Sequence, residues 1–497
     1  MEPKLALHKN NSIDYMVGFY FIIFCYTAIL IPLLELYKTV LLDTSFNYLN
    51  LGLSWFIMFY AMGRLSLLMM GDTRRLIELF FWIFVYIWMG YVPFQQVLTE
   101  SFPLSGTYSS DDIRFALFVV IAGILSFDLG GFLHNSLNKR RERKADYDDR
   151  SNLNLFKIDK IQVNEKKFII FTLIALFICA IIILKIGGVS ALFLNRQIFN
   201  AQFGGKIEFL LLSSFLKVSI FVCLVLGVIY YKHSKIKLSL GTQLWIFFIG
   251  IVNFMINNPI SGARYWIGSM ILTLCFLLLP WGKRSFYKWV IMLLCLLLFV
   301  FPKSDMFRHT TDTTKIVQSL TAQSNMATDG DYDAFQMTLN TVKYVDLFGH
   351  TNGEQLLVAF LFWVPRFIWA NKPFGSGTTV ADALGYDFTN LSCPLWAEFY
   401  IDFGLPGVVL LFILYGYFTQ KAQKAYERAV TTNEISVARL CVPYYAPFQI
   451  FLLRGELMSG TSYLTAYLFF VLIGYWFFKQ KQEPLNQAYP DFKSVSS

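Results

Sequence analysis

The sequence contains few charged residues and few cysteines. Of its 497 residues, 15% are Asp, Glu, Lys or Arg, whereas the charged share of ordinary soluble domains is about 25%. This scarcity excludes a typical soluble enzyme and a disordered chain. Seven cysteines, most of them within apolar runs, are too few for a secreted disulfide scaffold. Because 56% of the residues are hydrophobic, the remaining class is an integral membrane protein.

Long apolar runs recur along most of the chain. A helix needs about 20 apolar residues to cross a hydrocarbon layer that is about 30 Å thick. By this measure the sequence predicts an all-α, polytopic membrane protein with about 12 transmembrane helices. The predicted spans are residues 15–36, 51–70, 76–94, 115–132, 168–184, 209–231, 244–256, 265–279, 289–301, 396–418, 435–453 and 463–478.

The positive charge is distributed unevenly between the connecting segments. The chain carries 42 Lys and Arg against 33 Asp and Glu, a net charge of +9. These cations do not cluster on one soluble face, so they do not predict a nucleic-acid partner. They concentrate in alternate loops, above all in residues 138–167. Since Lys and Arg near spans stay on the cytoplasmic side, both termini are predicted to be cytoplasmic.

One connecting segment, residues 302–395, is far longer than a connection requires, and it is predicted to be a large extracytoplasmic loop. The predicted division is therefore a nine-helix region (1–301) with a basic cytoplasmic loop (138–167), the large loop, three C-terminal transmembrane helices (396–478) and a cytoplasmic tail (479–497). Within the loop, residues 355–364 are apolar and uncharged but end at Pro365. This stretch favours a short interfacial or re-entrant helix, and the alternative is a thirteenth span.

Arginines at the predicted outer boundary are candidates for phosphate binding. An enzyme acting on the outer face has no ATP or sugar nucleotide there, so its substrate must arrive activated, usually on a lipid phosphate or diphosphate. A guanidinium group matches phosphate oxygens with a planar fork of donors. The candidates are Arg264, Arg308, Arg366 and Arg454. For each of them, the alternative is an interfacial anchor.

A second candidate for phosphate binding is Lys372 with the Gly/Ser/Thr turn that follows it. The turn, residues 375–379, precedes a predicted helix at 380–384. The free amides of a helix N-terminus suit an anion. The alternative interpretation is a Gly-rich turn whose helix is capped by a threonine.

Acidic residues in the same zone are candidates for a catalytic base. Glu398 and Asp402 stand four residues apart, on one face of a predicted helix, just before Gly404-Leu405-Pro406-Gly407, which should break it. Broken helices at membrane depth are tolerated mainly where they line a cavity. Glu354 and His350 are alternative catalytic residues. His309 and Glu456 are further alternatives.

Other patterns in the sequence do not indicate a catalytic motif. The Asp331-Tyr332-Asp333 run has the Asp-x-Asp form of metal-dependent, nucleotide-sugar glycosyltransferases, but those enzymes use cytosolic donors and this loop is predicted to face outward. No motif predicts a metal site, a cofactor or nucleic-acid binding. Lys217, Arg64 and Asp128 lie in apolar runs, so they are expected to face the protein interior and to form structural pairs.

The late outer loop resembles that of bacterial O-antigen or oligosaccharide repeat-unit polymerases of the Wzy type. The resemblance lies in the many-span layout and in three local runs, residues 349–354, 364–373 and 396–407. It implies transfer of a growing glycan from undecaprenyl diphosphate to a sugar hydroxyl of the next lipid-linked repeat unit. That reaction takes place at the outer face of the plasma (inner) membrane. A chain-length regulator and a flippase are expected as partners beside the membrane lipid.

On this reading, Arg264, Arg366 and Arg454, with Arg308 and Lys372, hold the donor diphosphate. Glu398, or alternatively Asp402, Glu354 or His350, takes the proton of the acceptor hydroxyl. Aromatic residues are candidates for sugar stacking or for an interfacial belt: Trp363, Trp369, Tyr386 and Trp396. Two other functions stay open, a ligase with the same chemistry and a non-enzymatic transporter or flippase of lipid-linked glycans. The absence of matching halves in the sequence argues against a transporter.

Overall fold

The computed structural model describes residues 22–41, 47–71, 75–145, 164–194, 196–203, 205–233, 238–279, 286–297, 326–432 and 434–478. All regular structure within these ranges is helical, and no strand occurs in them. The predicted all-α fold class is therefore confirmed. Arg308, His309 and the tail 479–497 lie outside the described residues.

The N-terminal helices follow a π-helical turn, Tyr26–Leu30. They are α1 (Ile31–Leu41), α2 (Tyr48–Met70), α3 (Leu76–Thr99), α4 (Ser110–Ala145), α5 (Glu165–Lys185), α6 (Arg196–Ala201), α7 (Lys206–His233), α8 (Leu240–Ile256), α9 (Arg264–Leu278) and α10 (Phe286–Cys295). The C-terminal part contains α11 (Ala334–Phe348), α12 (Glu354–Phe360), α13 (Ser376–Ala383), α14 (Leu395–Thr431), α15 (Val437–Arg454) and α16 (Leu457–Phe478).

Seven described helices are long and apolar enough to cross a membrane: α2, α3, α4, α5, α7, α14 and α16. Each coincides with a predicted span, which supports a polytopic membrane protein. Of the other five predicted spans, three coincide with helices that are shorter or less apolar, namely α8, α9 and α15. The remaining two, 15–36 and 289–301, overlap only in part with α1 and α10. The number twelve is thus a prediction that the helix lengths alone do not confirm.

Helix α3 is the most enclosed of the seven and forms the centre of the bundle. Its middle is a π-helical turn, Val85–Tyr91, in which Trp88 is fully buried. Beside it, α4 and α14 pack backbone to backbone, because Gly130 and Gly416 leave no room for a side chain between the helices. Small residues allow membrane helices to approach this closely. The pair connects the two ends of the bundle.

Helix α14 is broken at Gly404, as predicted from the Gly-Leu-Pro-Gly run. Gly404 has φ 63° and ψ −158°, a conformation that side-chain-bearing residues rarely adopt. Pro406 follows and has no amide hydrogen to continue the ladder. A side chain at position 404 would also press on the His350 ring. The first turns of α14, which carry Glu398 and Asp402, are thereby set off from its long second part.

Two expectations for the long loop are revised. The apolar stretch 355–364 forms only the seven-residue helix α12 followed by turns, which is too short for the alternative of a thirteenth span. The helix predicted at 380–384 begins earlier, at Ser376, and its N-cap is Gly375 rather than a threonine. We call the end of the bundle at which residues 326–394 lie the loop end, and the other the opposite end.

Candidate functional site

Two of the predicted arginines meet at the loop end, although they are 190 positions apart. Arg264, the first residue of α9, donates from Nη2 to Asp331 Oδ1 at 2.9 Å. Arg454, the last residue of α15, has Nη2 at 2.9 Å from Asp333 Oδ1. Arg454 also donates to the carbonyl oxygens of Asp331 (2.9 Å) and Gly330 (2.8 Å). We call Arg264, Arg454, Asp331 and Asp333 the loop-end cluster.

The acidic half of this cluster is held by the core of the bundle. Asp329 accepts from the Asp331 amide at 2.9 Å and so caps the short 3₁₀ helix Gly330–Tyr332. Trp88, in the π-helical turn of α3, donates to the Asp331 carbonyl oxygen at 3.0 Å. The buried Tyr332 stacks on Trp88 and donates to the Leu297 carbonyl at 2.8 Å. The carboxylates therefore sit on a backbone fixed from three sides.

The four side chains of the cluster are largely buried, which strengthens the attraction between their opposite charges. The side chains of Arg264 and Arg454 are 19% and 15% exposed, and those of Asp331 and Asp333 are 11% and 5% exposed. Burial raises the pKa of the Asp333 carboxyl, while the neighbouring Arg454 guanidinium opposes this change. Such pairs are screened less by salt than surface pairs. The site thus holds two fixed cations, each matched by a carboxylate.

Glu398 is a buried acid near the start of α14 that binds two other helix starts. It is 2% exposed, its Oε1 accepts from the Leu457 amide at 2.7 Å, and its Oε2 accepts from the Ser376 hydroxyl. Leu457 is the first residue of α16 and follows Arg454 by three positions. Glu398 therefore links α14 to the first residues of α13 and α16.

A second acid, Glu456, lies against the N-cap of α13. A side chain at Gly375 would overlap the Glu456 carboxylate and would have to displace it. Glu456 is 8% exposed and its Oε2 accepts from the Ser459 hydroxyl at 3.1 Å. The Gly/Ser/Thr turn thus meets two protein carboxylates, those of Glu398 and Glu456, at the helix start that was predicted to suit a phosphate.

The Asp402 carboxylate accepts hydrogen bonds from backbone amides at the start of α12. Its Oδ1 accepts from the Thr351 hydroxyl at 2.5 Å and from the amides of Gly353 and Gln355 at 3.1 Å each. Its Oδ2 accepts from the Leu356 amide at 2.8 Å. A carboxylate at a helix N-terminus satisfies amides that have no partner within the helix. Asp402 therefore positions α12.

Arg366 and Lys372 bind backbone carbonyls within the large loop. Lys372 is 3% exposed and donates from Nζ to the carbonyl oxygens of Leu361, Phe362 and Val364 at 3.0, 2.8 and 2.9 Å. Desolvation lowers the pKa of its amine, and the nearby Arg366 charge adds to this effect. Arg366 donates to the Lys372 carbonyl at 2.5 Å and lies over the Phe374 ring at 4.4 Å. Both cations brace the chain that leads to Gly375.

The remaining predicted site residues lie elsewhere. Glu354 and His350 are exposed, and His350 packs edge-on against Tyr400 near the break in α14. Arg308 lies outside the described ranges. Trp396 is fully buried and donates to the Val120 carbonyl at 3.0 Å, so it packs in the core and does not reach a sugar site.

A second group of charges lies inside the opposite end, and we call it the opposite-end cluster. Arg64 lies 2.8 Å from Asp128 Oδ1 and 3.8 Å from Glu78 Oε2, and Arg75 lies 3.4 Å from Glu78 Oε1. Tyr60 donates to Asp128 at 2.5 Å, and Gln420 donates to Glu78 at 2.5 Å. A cavity of about 520 Å³ adjoins it, lined by Arg64, Leu67, Leu68, Met70, Gly71, Arg75 and Glu78. The expected structural pairing of Arg64 with Asp128 is confirmed, and Lys217 is buried as expected.

The sequence pointed to the charged candidates of this site but not to the residues that they contact. Asp331 and Asp333 were set aside with the Asp-x-Asp pattern, and Ser376 and Gly375 were seen only as turn residues. The alternation of three acids, at positions 329, 331 and 333, in an otherwise sparsely charged chain was the available signal. Groups of three or more His, Cys, Asp or Glu able to hold a metal ion are absent from the described residues.

Comparison with protein-family models, with curated proteins and with solved structures finds no match to this chain. The resemblance to repeat-unit polymerases therefore stands on the sequence motifs alone.

Proposed function

We propose that this chain is a polysaccharide polymerase. It transfers a growing glycan from undecaprenyl diphosphate to a lipid-linked oligosaccharide repeat unit, at the outer face of the plasma membrane. The observation that carries the proposal is the meeting of Arg264 and Arg454, from separate helices, on the Asp331–Asp333 segment. The buried carboxylate of Glu398 binds the Leu457 amide, three residues after Arg454.

The loop-end cluster has the charge distribution that a diphosphate leaving group needs. Arginine forms strong charge-assisted bonds to phosphate oxygens, each contributing about 1.5 to 3 kcal/mol when shielded from water. Asp331 and Asp333 hold the two guanidinium groups in place before substrate arrives. In the proposed complex, the diphosphate competes with these carboxylates for the same donors. Cations already fixed in position lose less entropy on binding.

The proposed chemistry is a single displacement. The acceptor hydroxyl attacks the anomeric carbon, its proton passes to Glu398, and the bond from that carbon to the diphosphate oxygen breaks. Undecaprenyl diphosphate leaves with the bonding electron pair, and Arg264 and Arg454 stabilise the negative charge that grows on it. Each carboxylate oxygen of Glu398 accepts one hydrogen bond from the protein, which leaves a lone pair for the proton. In this scheme Asp402, Lys372 and Arg366 position the loop.

The same proposal includes a topology. Twelve spans, both termini in the cytoplasm and residues 302–395 outside follow from the apolar runs and the alternating Lys and Arg. Support comes from α8, α9 and α15, which coincide with three predicted spans beyond the seven long helices. A flippase delivers the lipid-linked units, and a chain-length regulator is a further expected partner.

The test is a reconstituted assay with the purified chain in vesicles and lipid-linked repeat units on the outer leaflet. Lengthening of the glycan, with release of one undecaprenyl diphosphate per unit added, supports the polymerase. An Arg428→Ala variant is the control, because Arg428 is an exposed arginine near the C-terminus of α14. Transfer only to a different lipid acceptor identifies a ligase. Movement across the bilayer without new bonds identifies a flippase, and either outcome overturns the proposal.

A further inference from the structure

Six large apolar side chains are exposed within an 18-residue stretch of the large loop. They are Leu357 (48%), Phe360 (62%), Trp363 (53%), Phe367 (86%), Ile368 (68%) and Phe374 (50%). We call them the apolar rim. Single exposed apolar residues are common, but six large ones exposed along one short segment are typical of a protein or membrane contact. The rim therefore requires a non-aqueous partner.

Helix α12 is apolar on both sides, although it is too short to span a membrane. Its inner face is buried, with Val358 and Ala359 at 0% and 1% exposed, and it packs on α14 and α16. Thr461, one turn into α16, donates to the Ala359 carbonyl at 2.7 Å. The rim is thus tied to the start of a helix that is long and apolar enough to cross a membrane.

Several backbone carbonyls beneath the rim are bound by protein side chains. After α12 ends, Lys372 donates to three carbonyl groups, those of residues 361, 362 and 364. Arg366 donates to the carbonyls of residues 372 and 373. Internal partners for backbone polar groups are what irregular chain needs where it meets hydrocarbon. A surface bathed in water would not need this arrangement.

We propose that the apolar rim inserts into the head-group and acyl boundary of the outer leaflet, and that its occupant is the lipid bilayer itself. The exposed Arg366, stacked on Phe374, then lies among lipid phosphates, as expected for an interfacial arginine. Insertion fixes the height of the chain that runs from Lys372 to Ser376. It thereby fixes the depth of Glu398 and Glu456 below the membrane surface. This inference does not depend on glycosyl transfer.

The test uses the full chain in lipid nanodiscs, with the incompletely buried native cysteines, Cys25, Cys275, Cys295 and Cys441, replaced by serine. Spin labels are placed at Phe367→Cys and Ile368→Cys. The lipid control is Leu472→Cys, on the exposed face of α16, and the water control is Asp387→Cys, an exposed acid of the same loop. Collision rates with oxygen and with a soluble nickel chelate report the surroundings of each label.

We expect the labels at 367 and 368 to match the label at 472, with a ratio of oxygen to nickel accessibility several-fold above that at 387. Values equal to those at 387 would show that the rim faces water and would overturn the proposal. Protection from both reagents would show that a second copy or another protein covers the rim, and would overturn it equally. Glycan lengthening is not part of this readout, so its failure cannot be confused with failure of the proposed function.

Discussion

The loop-end and opposite-end clusters each contain two arginines and two acids, yet they are built differently. In the opposite-end cluster, the arginines pair with acids carried on the helices α3 and α4. In the loop-end cluster, the acids lie on a short 3₁₀ segment, and Arg454 also binds two backbone carbonyls there. The first arrangement is the more exposed, because its arginine side chains are 31% and 41% exposed and line the cavity. The second is more enclosed and lies beside loop elements, and in the proposed function it exchanges a carboxylate for a substrate anion.

The largest expected effect distinguishes the two buried glutamates. Glu398→Gln should lower the rate of glycan lengthening by about 10²- to 10⁴-fold, the usual contribution of a general base. The amide keeps the shape of the side chain and can still accept from Leu457 and bond to Ser376. The matched control is Glu78→Gln at the opposite end, which should leave the rate nearly unchanged. Equal activity of both variants would remove Glu398 from the chemistry.

The next effect concerns stability at the opposite end. Arg64→Ala leaves the Asp128 carboxylate without its guanidinium partner, while Glu78 keeps Arg75. The Arg64 and Asp128 side chains are 31% and 19% exposed, so loss of this charged contact should lower the free energy of unfolding by about 1.5 to 3 kcal/mol. Thermal unfolding in detergent, followed by circular dichroism, measures it. If the free energy of unfolding changes no more than it does in the Arg428→Ala control, water must replace the lost guanidinium group, and the cluster is hydrated.

Neutral replacement of one pair at each end compares the clusters directly. Arg454→Gln combined with Asp333→Asn removes both charges of one loop-end pair, so no carboxylate is left unpaired. Loss of a phosphate donor should lower lengthening by about 10²- to 10³-fold while unfolding stays close to that of the parent. The matched double variant, Arg64→Gln with Asp128→Asn, should retain activity. The comparison fails if both double variants behave alike.

The smallest effect is expected for Arg75, the exposed member of the opposite-end cluster. Its side chain is 41% exposed and lies 3.4 Å from Glu78. Glu78 keeps Arg64 and the Gln420 amide as partners, so Arg75→Ala should lower the unfolding temperature less than Arg64→Ala does. A loss as large as that of Arg64→Ala would show that the cavity beside it is a structural or binding element.

Residues close in sequence were predicted better than residues joined across the fold. The break at Gly404 was predictable, because glycine conformation and the missing amide of Pro406 act locally. The start of α13 was missed, because it depends on Gly375 fitting against Glu456, some 80 positions away. The pairing of Arg454 with Asp333 was missed for the same reason. Arg366 was predicted as a diphosphate ligand, and the carbonyls that it binds in the structure depend on a turn that no pattern indicated.

The sequence by itself determined that this protein is helical and membrane-embedded, because transfer of apolar side chains from water to lipid depends on the composition of each short segment. It also determined which side chains carry charge into those segments. Only the tertiary structure decided which charges face one another. Ion pairing falls off within a few ångströms, and the partners in both clusters are brought together by helix packing rather than by proximity along the chain.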